Sequence, residues 1–242
     1  MTGPDSSIAV SNRARAVALL AAEAVALVLG ADALAALVAI PAGLSSPGGE
    51  RAASEGILLA GDVAAGGCLL ALTGWRARAV FGPGWPATLG LTSSRLRGGV
   101  LVLLLAGVLA ADILWSGAVA ILLEPLAPEA ESAPPAPAGS GERLLWLARM
   151  VIVAPFVEEL FFRGYLQARA GLVLSPAAGV VLVALLFALA HVGGRDLLHP
   201  VATLSSGLLW ALVRRWTGSL WPCLALHATF NAFVALTEIA AS

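Results

Sequence analysis

The sequence predicts an all-α integral membrane protein, a polytopic bundle of about seven transmembrane helices. Three observations lead there. Hydrophobic residues make up 59% of the 242 positions and charged residues only 12%, against roughly 25% charged in an ordinary soluble domain. Mean hydropathy is +0.90, more apolar side chain than a water-soluble fold could hide. The apolar runs are also long enough to cross a bilayer as helices, in which each backbone group is satisfied within its own segment.

Seven candidate spans follow, at residues 16–42, 55–75, 99–124, 143–168, 175–192, 197–213 and 218–240. The first follows Arg13 and Arg15 like the start of a signal peptide, but its apolar run exceeds the roughly 7–15 residues of a typical signal core, so it is expected to stay as an anchor. Between the second and third lies VFGPGWPATLG, apolar but broken by Pro83, Gly84 and Pro86, and expected on the membrane surface. The segment PLAPEAESAPPAPAGSGE is too rich in Pro, Ala, Ser and acid to bury a face and reads as a mobile loop. It divides an N-terminal three-span unit (1–127) from a C-terminal four-span core (143–242), with the loop at 128–142.

All fourteen positive residues are arginines, and their distribution orients the chain in a cell membrane. With the N-terminus inside, Arg13, Arg15, Arg76, Arg78, Arg95, Arg97, Arg169, Arg214 and Arg215 fall in inner loops, and only Arg51, Arg143 and Arg195 in outer ones. Trp75, Trp146, Trp216 and Trp221 lie near span ends, where an amphipathic ring suits the headgroup zone. The net charge of -1 provides no basic stripe for nucleic acid. Cys68 and Cys223 sit in apolar segments without CxxC spacing, as small packing residues. No internal repeat signals a transporter's inverted halves.

Ionisable groups inside a span cost a few kcal/mol, so each needs a partner or a role. The fourth span carries PFVEELFFRGYLQ. Glu159 and Arg163 are four apart and share a helix face, in the favourable order of acid before base. Glu158 points about 100° away and lacks that partner. One carboxylate is enough to balance Arg163, so the second suits a general base or acid, the alternative being an ion cluster that locks two helices. Phe187 and His191 in LLFALAHVGG are four apart, with Gly193 and Gly194 after them. His227 and Asn231 in LHATFNAF share a face and supply two hydrogen-bond donors, equipment for an oxyanion site or for joining helices. Counting about 1.5 Å per residue, Glu158 and His191 reach similar depths, nearer the outer leaflet.

The ordered set EExxxR (Glu158, Glu159, Arg163), FxxxH (Phe187, His191) and HxxxN (His227, Asn231) resembles the CPBP family of CAAX prenyl proteases and bacteriocin-processing or immunity proteins, also called the Abi family. The resemblance covers about residues 143–240, and the first three spans carry no motif. It implies an intramembrane glutamic endopeptidase similar to the type II CAAX prenyl endopeptidase. Glu158 and His191 would activate a water, His227 and Asn231 would stabilise the oxyanion, and Glu159, Arg163 and Phe187 would support them. The substrate would be a membrane protein or lipidated peptide at the bilayer. No cofactor is expected. Were a divalent metal such as zinc to bind, Glu158, His191 and His227 would be its ligands, but the chain has no HExxH and these three lie on separate helices. The other roles open to such a pocket are a scaffold or immunity protein that binds a peptide without cleaving it, and a proton-coupled transporter. An Arg-only, Ala- and Gly-rich chain points to a bacterial source, where prenylated substrates are not expected.

Four scattered acids, Glu23, Asp32, Asp62 and Asp112, are expected to make interhelical hydrogen bonds or to lie near span ends. His199 is expected at the interface, and Tyr165 and Gln167, just past the motif, in helix packing, the alternative being contact with substrate.

Overall fold

The computed structural model describes residues 4–39, 55–123, 136–192 and 198–241. Among them all regular structure is helical: α1 (Pro4–Ala39), α2 (Glu55–Phe81), α3 (Gly98–Leu123), α4 (residues 140–170), α5 (Pro176–Ala190), α6 (Leu198–Thr217) and α7 (Trp221–Ala241). The chain is a membrane protein. Among the described residues four stretches are long and apolar enough to cross a bilayer: Ala14–Leu34, Leu58–Thr88, Gly98–Leu123 and Trp221–Ala241. All seven expected stretches are helices, but α4 and α6 carry polar and charged residues inward, and α5 is a shorter apolar helix. The proposed Pro-rich loop lies largely outside the described residues, as do Arg51, Gly193, Gly194 and Arg195.

Lipid-type side chains coat the outside. Leu103, Leu114, Ile121 and Leu122 of α3 and Leu19 and Leu29 of α1 are exposed, an arrangement that water would penalise at about 25 cal/mol per Å² and a bilayer would not. The interior is centred on α4. Phe161, Phe162, Tyr165 and Leu166 of α4 pack with Val183 and Phe187 of α5, Trp210 and Val213 of α6, and Cys223 and Leu226 of α7 in one core.

Small residues set the helix spacing that this core needs. A Cβ on Gly207 of α6 would come within 3.1 Å of the Ala184 backbone, so α6 lies directly on α5. A Cβ on Gly66 of α2 would stand 2.6 Å from Val157, so α2 presses on α4 one residue before the paired glutamates. The N-terminal helices are also tied on by charge. Glu23 of α1 accepts hydrogen bonds from Tyr165 (2.6 Å) and Arg76 (2.6 Å) and forms an ion pair with Arg169 (3.4 Å). Asp62 of α2 pairs with Arg149 of α4 at 3.5 Å. Two of the scattered acids therefore have basic partners, on other helices, where sequence spacing gives no hint of them.

The stretch after α2 forms a 3-10 turn (Gly82–Gly84) and a single helical turn (Trp85–Thr88); Pro83, Gly84, Ala87 and Thr88 are exposed, while Leu89 is fully buried and Phe81, Trp85 and Leu91 pack on the core. One local expectation is corrected. Of the four tryptophans, Trp75, Trp216 and Trp221 are exposed, whereas Trp146 is only 7% exposed and packs with Ala136 and Ala235.

Candidate active site

Helix α4 is not a regular α-helix. Two π-helical stretches, Arg149–Val153 and Leu160–Leu166, bracket the six-residue turn Ala154–Glu159 that carries both glutamates. In each, an amide reaches five residues back: Ala154 donates to the Arg149 carbonyl and Gln167 to that of Phe162. Such widened turns recur at functional sites because they re-aim side chains. Pro155 adds a second irregularity. It has no N–H to offer the Met150 carbonyl five residues back, and Asn231 of α7 donates to that carbonyl from Nδ2 at 2.8 Å.

The buried ion pair forms the base of the site. Glu159 and Arg163 have no exposed side-chain surface, and Nη1 of Arg163 donates to Oε1 of Glu159 at 2.9 Å. The Arg163 guanidinium lies 4.0 Å from the Phe187 ring centroid and 5.2 Å from that of Trp210, so aromatic faces replace water around the cation. Oε1 of Glu159 also lies 3.0 Å from Nδ1 of His227. A carboxylate oxygen so placed accepts, so the ring donates from Nδ1 and directs Nε2 the other way.

That Nε2 faces Glu158, 3.9 Å from its Oε2. The expectation that Glu158 turns away from its neighbour is met along α4, but His227 lies between the two carboxylates and touches both. His191 completes the group. Its Nδ1 is 2.7 Å from the Phe187 carbonyl, which can only accept, so in the neutral ring the proton sits on Nδ1 and Nε2 carries a lone pair. Nε2 stands 3.8 Å from the same Glu158 oxygen. That oxygen is buried and has no hydrogen-bond donor among the described residues. Two acceptors facing each other at this distance suit a water or hydroxyl between them that donates to either.

These groups line a cavity of about 540 Å³ walled by α4, α5, α6 and α7. Glu158, His191, His227, Asn231 and Phe187 all reach it, while Glu159 and Arg163 stand behind His227. Glu158 also borders a separate pocket of about 250 Å³ shared with Asp32 and Asp62 of α1 and α2. Among the described residues no three His, Cys, Asp or Glu side chains are arranged to hold a metal ion. In the alternative ligand set Glu158, His191 and His227, each histidine has Nδ1 on a protein acceptor and turns Nε2 toward the same Glu158 oxygen, at 3.8 and 3.9 Å.

Sequence reasoning missed several walls of this cavity. His199 lines it, its ring centroid 5.5 Å from that of His191. Trp210 stacks on His227 at 4.3 Å. Ser206 lines the cavity and donates to the fully buried Asp112 of α3 at 2.8 Å. A tryptophan in mid-span and an acid in an otherwise strongly apolar helix were the available signals. Tyr165 and Gln167 lie in packing as expected, Gln167 donating to the Ala211 carbonyl at 2.9 Å.

Residues 140–233 match the family described as type II CAAX prenyl endopeptidase Rce1-like. This segment is similar to an Rce1-like domain. No curated protein and no solved structure gives a match. The Rce1-like segment starts at the first turn of α4 and ends two residues beyond Asn231, so it contains all seven residues of the EExxxR, FxxxH and HxxxN set. Helices α1 to α3 lie outside it, including the Glu23 and Asp112 anchors that reach the domain from the N-terminal side.

Proposed function

We propose that the chain is an intramembrane endopeptidase of the cell membrane that cleaves a membrane-associated or lipidated protein. The observation that carries this reading is the pair of acceptors, Glu158 Oε2 and His191 Nε2, 3.8 Å apart at the wall of the cavity. A water donating to both is oriented and polarised. As it attacks a peptide carbonyl, its proton passes to this pair and then to the departing amine, the work of a general base followed by a general acid.

Two donors stand ready for the oxyanion. Asn231 uses one amide hydrogen on Met150 and keeps the other for the cavity. His227, held at Nδ1 by Glu159, presents Nε2 on the same side, and a proton there makes it the second donor. Preorganised donors of this kind are typically worth 10²–10³-fold in rate, roughly, for each one removed. Glu159 and Arg163 fix His227 without touching substrate, and Phe187 fixes both His191, through its carbonyl, and Arg163, through its ring.

The test compares protein termini in membranes of cells making the wild-type chain with those making Glu158→Gln at equal abundance. Termini present only with the wild type establish proteolysis and identify the substrates. Identical termini, with the variant folded and inserted, would sink the enzyme reading and favour a peptide-binding scaffold or immunity protein.

A further inference from the structure

At the end of the bundle away from the cavity, the last turns of α4 and the facing ends of α5 and α6 enclose a second pocket of about 210 Å³. Its polar lining is Arg163, Gln167, Arg214 and Arg215, and Gly171 and Gly179 leave the room between them. Arg163 thus separates two sites. Its Nη1 serves Glu159 on the cavity side, while Nε and Nη2 are buried without a hydrogen-bond partner. An unmet buried donor costs about 1–3 kcal/mol, more when charged.

The neighbouring arginines do not supply an acceptor. Arg214 donates to the Thr88 carbonyl from Nη2 at 3.0 Å, and its Nε is buried and unpartnered. Among the described residues neither Arg214 nor Arg215 forms an ion pair, and no carboxylate lines the pocket beside the three guanidiniums. Planar guanidinium forks match phosphate oxygens in pairs. Trp216 and Trp221, 47% and 48% exposed, adjoin this end of α6 and α7. Exposed tryptophans of this kind mark the headgroup level, and basic pockets between membrane helices at that level take lipid headgroups. Gln167 adds a requirement of its own. Its Nε2 is committed to Ala211, while Oε1 is buried without a donor, so the ligand should carry a hydroxyl or ammonium beside its anionic group.

We infer that this pocket binds a phosphate ester, with Arg214 and Arg215 on the phosphate, the buried charge of Arg163 behind them and Gln167 on an adjacent donor. An anionic phospholipid headgroup supplies both parts, and a free phosphate supplies only the first. The inference stands apart from the proteolytic reading, since it concerns the opposite end of α4.

The test uses the full chain in detergent micelles, with native mass spectrometry measuring retention of phosphatidylglycerol against phosphatidylcholine. Wild type should prefer the anionic lipid by about tenfold, and Arg214→Gln/Arg215→Gln should remove that preference. Ala168→Glu, which puts a carboxylate at the pocket wall and removes no guanidinium, should remove it as well. It serves as the second probe if the double variant misfolds. Displacement of the lipid by millimolar inorganic phosphate assigns the pocket to phosphate itself, and resistance assigns it to the headgroup. Equal retention of both lipids by wild type, or an unchanged preference in a folded variant, would overturn the inference.

Discussion

Helices α1–α3 and the Rce1-like helices α4–α7 draw on nearly the same apolar residues, yet they use them differently. The first group turns many Leu, Val and Ile side chains outward and meets the rest through a thin apolar seam, including Leu20, Leu27, Ala77 and Val108, pinned by the polar anchors Glu23, Asp62 and Asp112. The second buries a fully enclosed ion pair, two histidines reaching one carboxylate and a ring of aromatic side chains. In a bilayer, apolar content carries little information because lipid accepts it anywhere. Polar groups that cannot be left unpartnered decide which helices touch and where.

Substitutions in the two regions should therefore separate chemistry, core integrity and anchoring. The largest expected effect is on turnover in Glu158→Gln, a loss of about 10³-fold or more with helicity retained, as for removal of a general base. Single-turnover cleavage with a substrate found by terminus mapping would measure it, and near-wild-type rates would sink the role assigned to Glu158. Next comes stability. Glu159→Ala strands a buried guanidinium and should destabilise by about 3–5 kcal/mol, read from denaturant unfolding in detergent. A loss below that of any anchor variant in α1–α3 would break the comparison.

Asn231→Ala removes one oxyanion donor and the cap on the Met150 carbonyl, so kcat should fall about 10²-fold with KM little changed. A raised KM with kcat unchanged would instead mean that Asn231 binds substrate equally in its ground state. Smaller still is Glu23→Gln, which weakens the anchoring of Tyr165, Arg76 and Arg169 and should cost about 1–3 kcal/mol while leaving turnover nearly intact. If turnover collapses there, α1 belongs to the catalytic machinery after all. The smallest effect is expected from a strong chelator, which should leave the rate unchanged; inactivation reversed by zinc would reinstate a metal-based mechanism.

What sequence made legible were relations inside one helix. Glu159 with Arg163 and His191 with Phe187 follow from a spacing of four residues, and both pairs are in contact. Relations between helices were legible only as a shortage: Glu158 lacked a partner, and Asp112 stood alone in an apolar run. Trp146 shows the same limit in reverse, since a span-end position suggested an interface while the fold buries it beside the cavity.

By itself, then, the sequence determined a helical membrane protein and the residues that could not rest unpartnered in lipid, because hydrophobic length and 3.6-residue periodicity are local properties. Only the tertiary structure decided that His227 stands between two glutamates, that Asn231 caps the carbonyl Pro155 leaves open, and that Arg163 borders a second pocket. Those outcomes depend on helix spacing, which Gly66 and Gly207 permit by close approach, on the π-turns of α4 and on hydrogen bonds between helices that no spacing along one chain segment encodes.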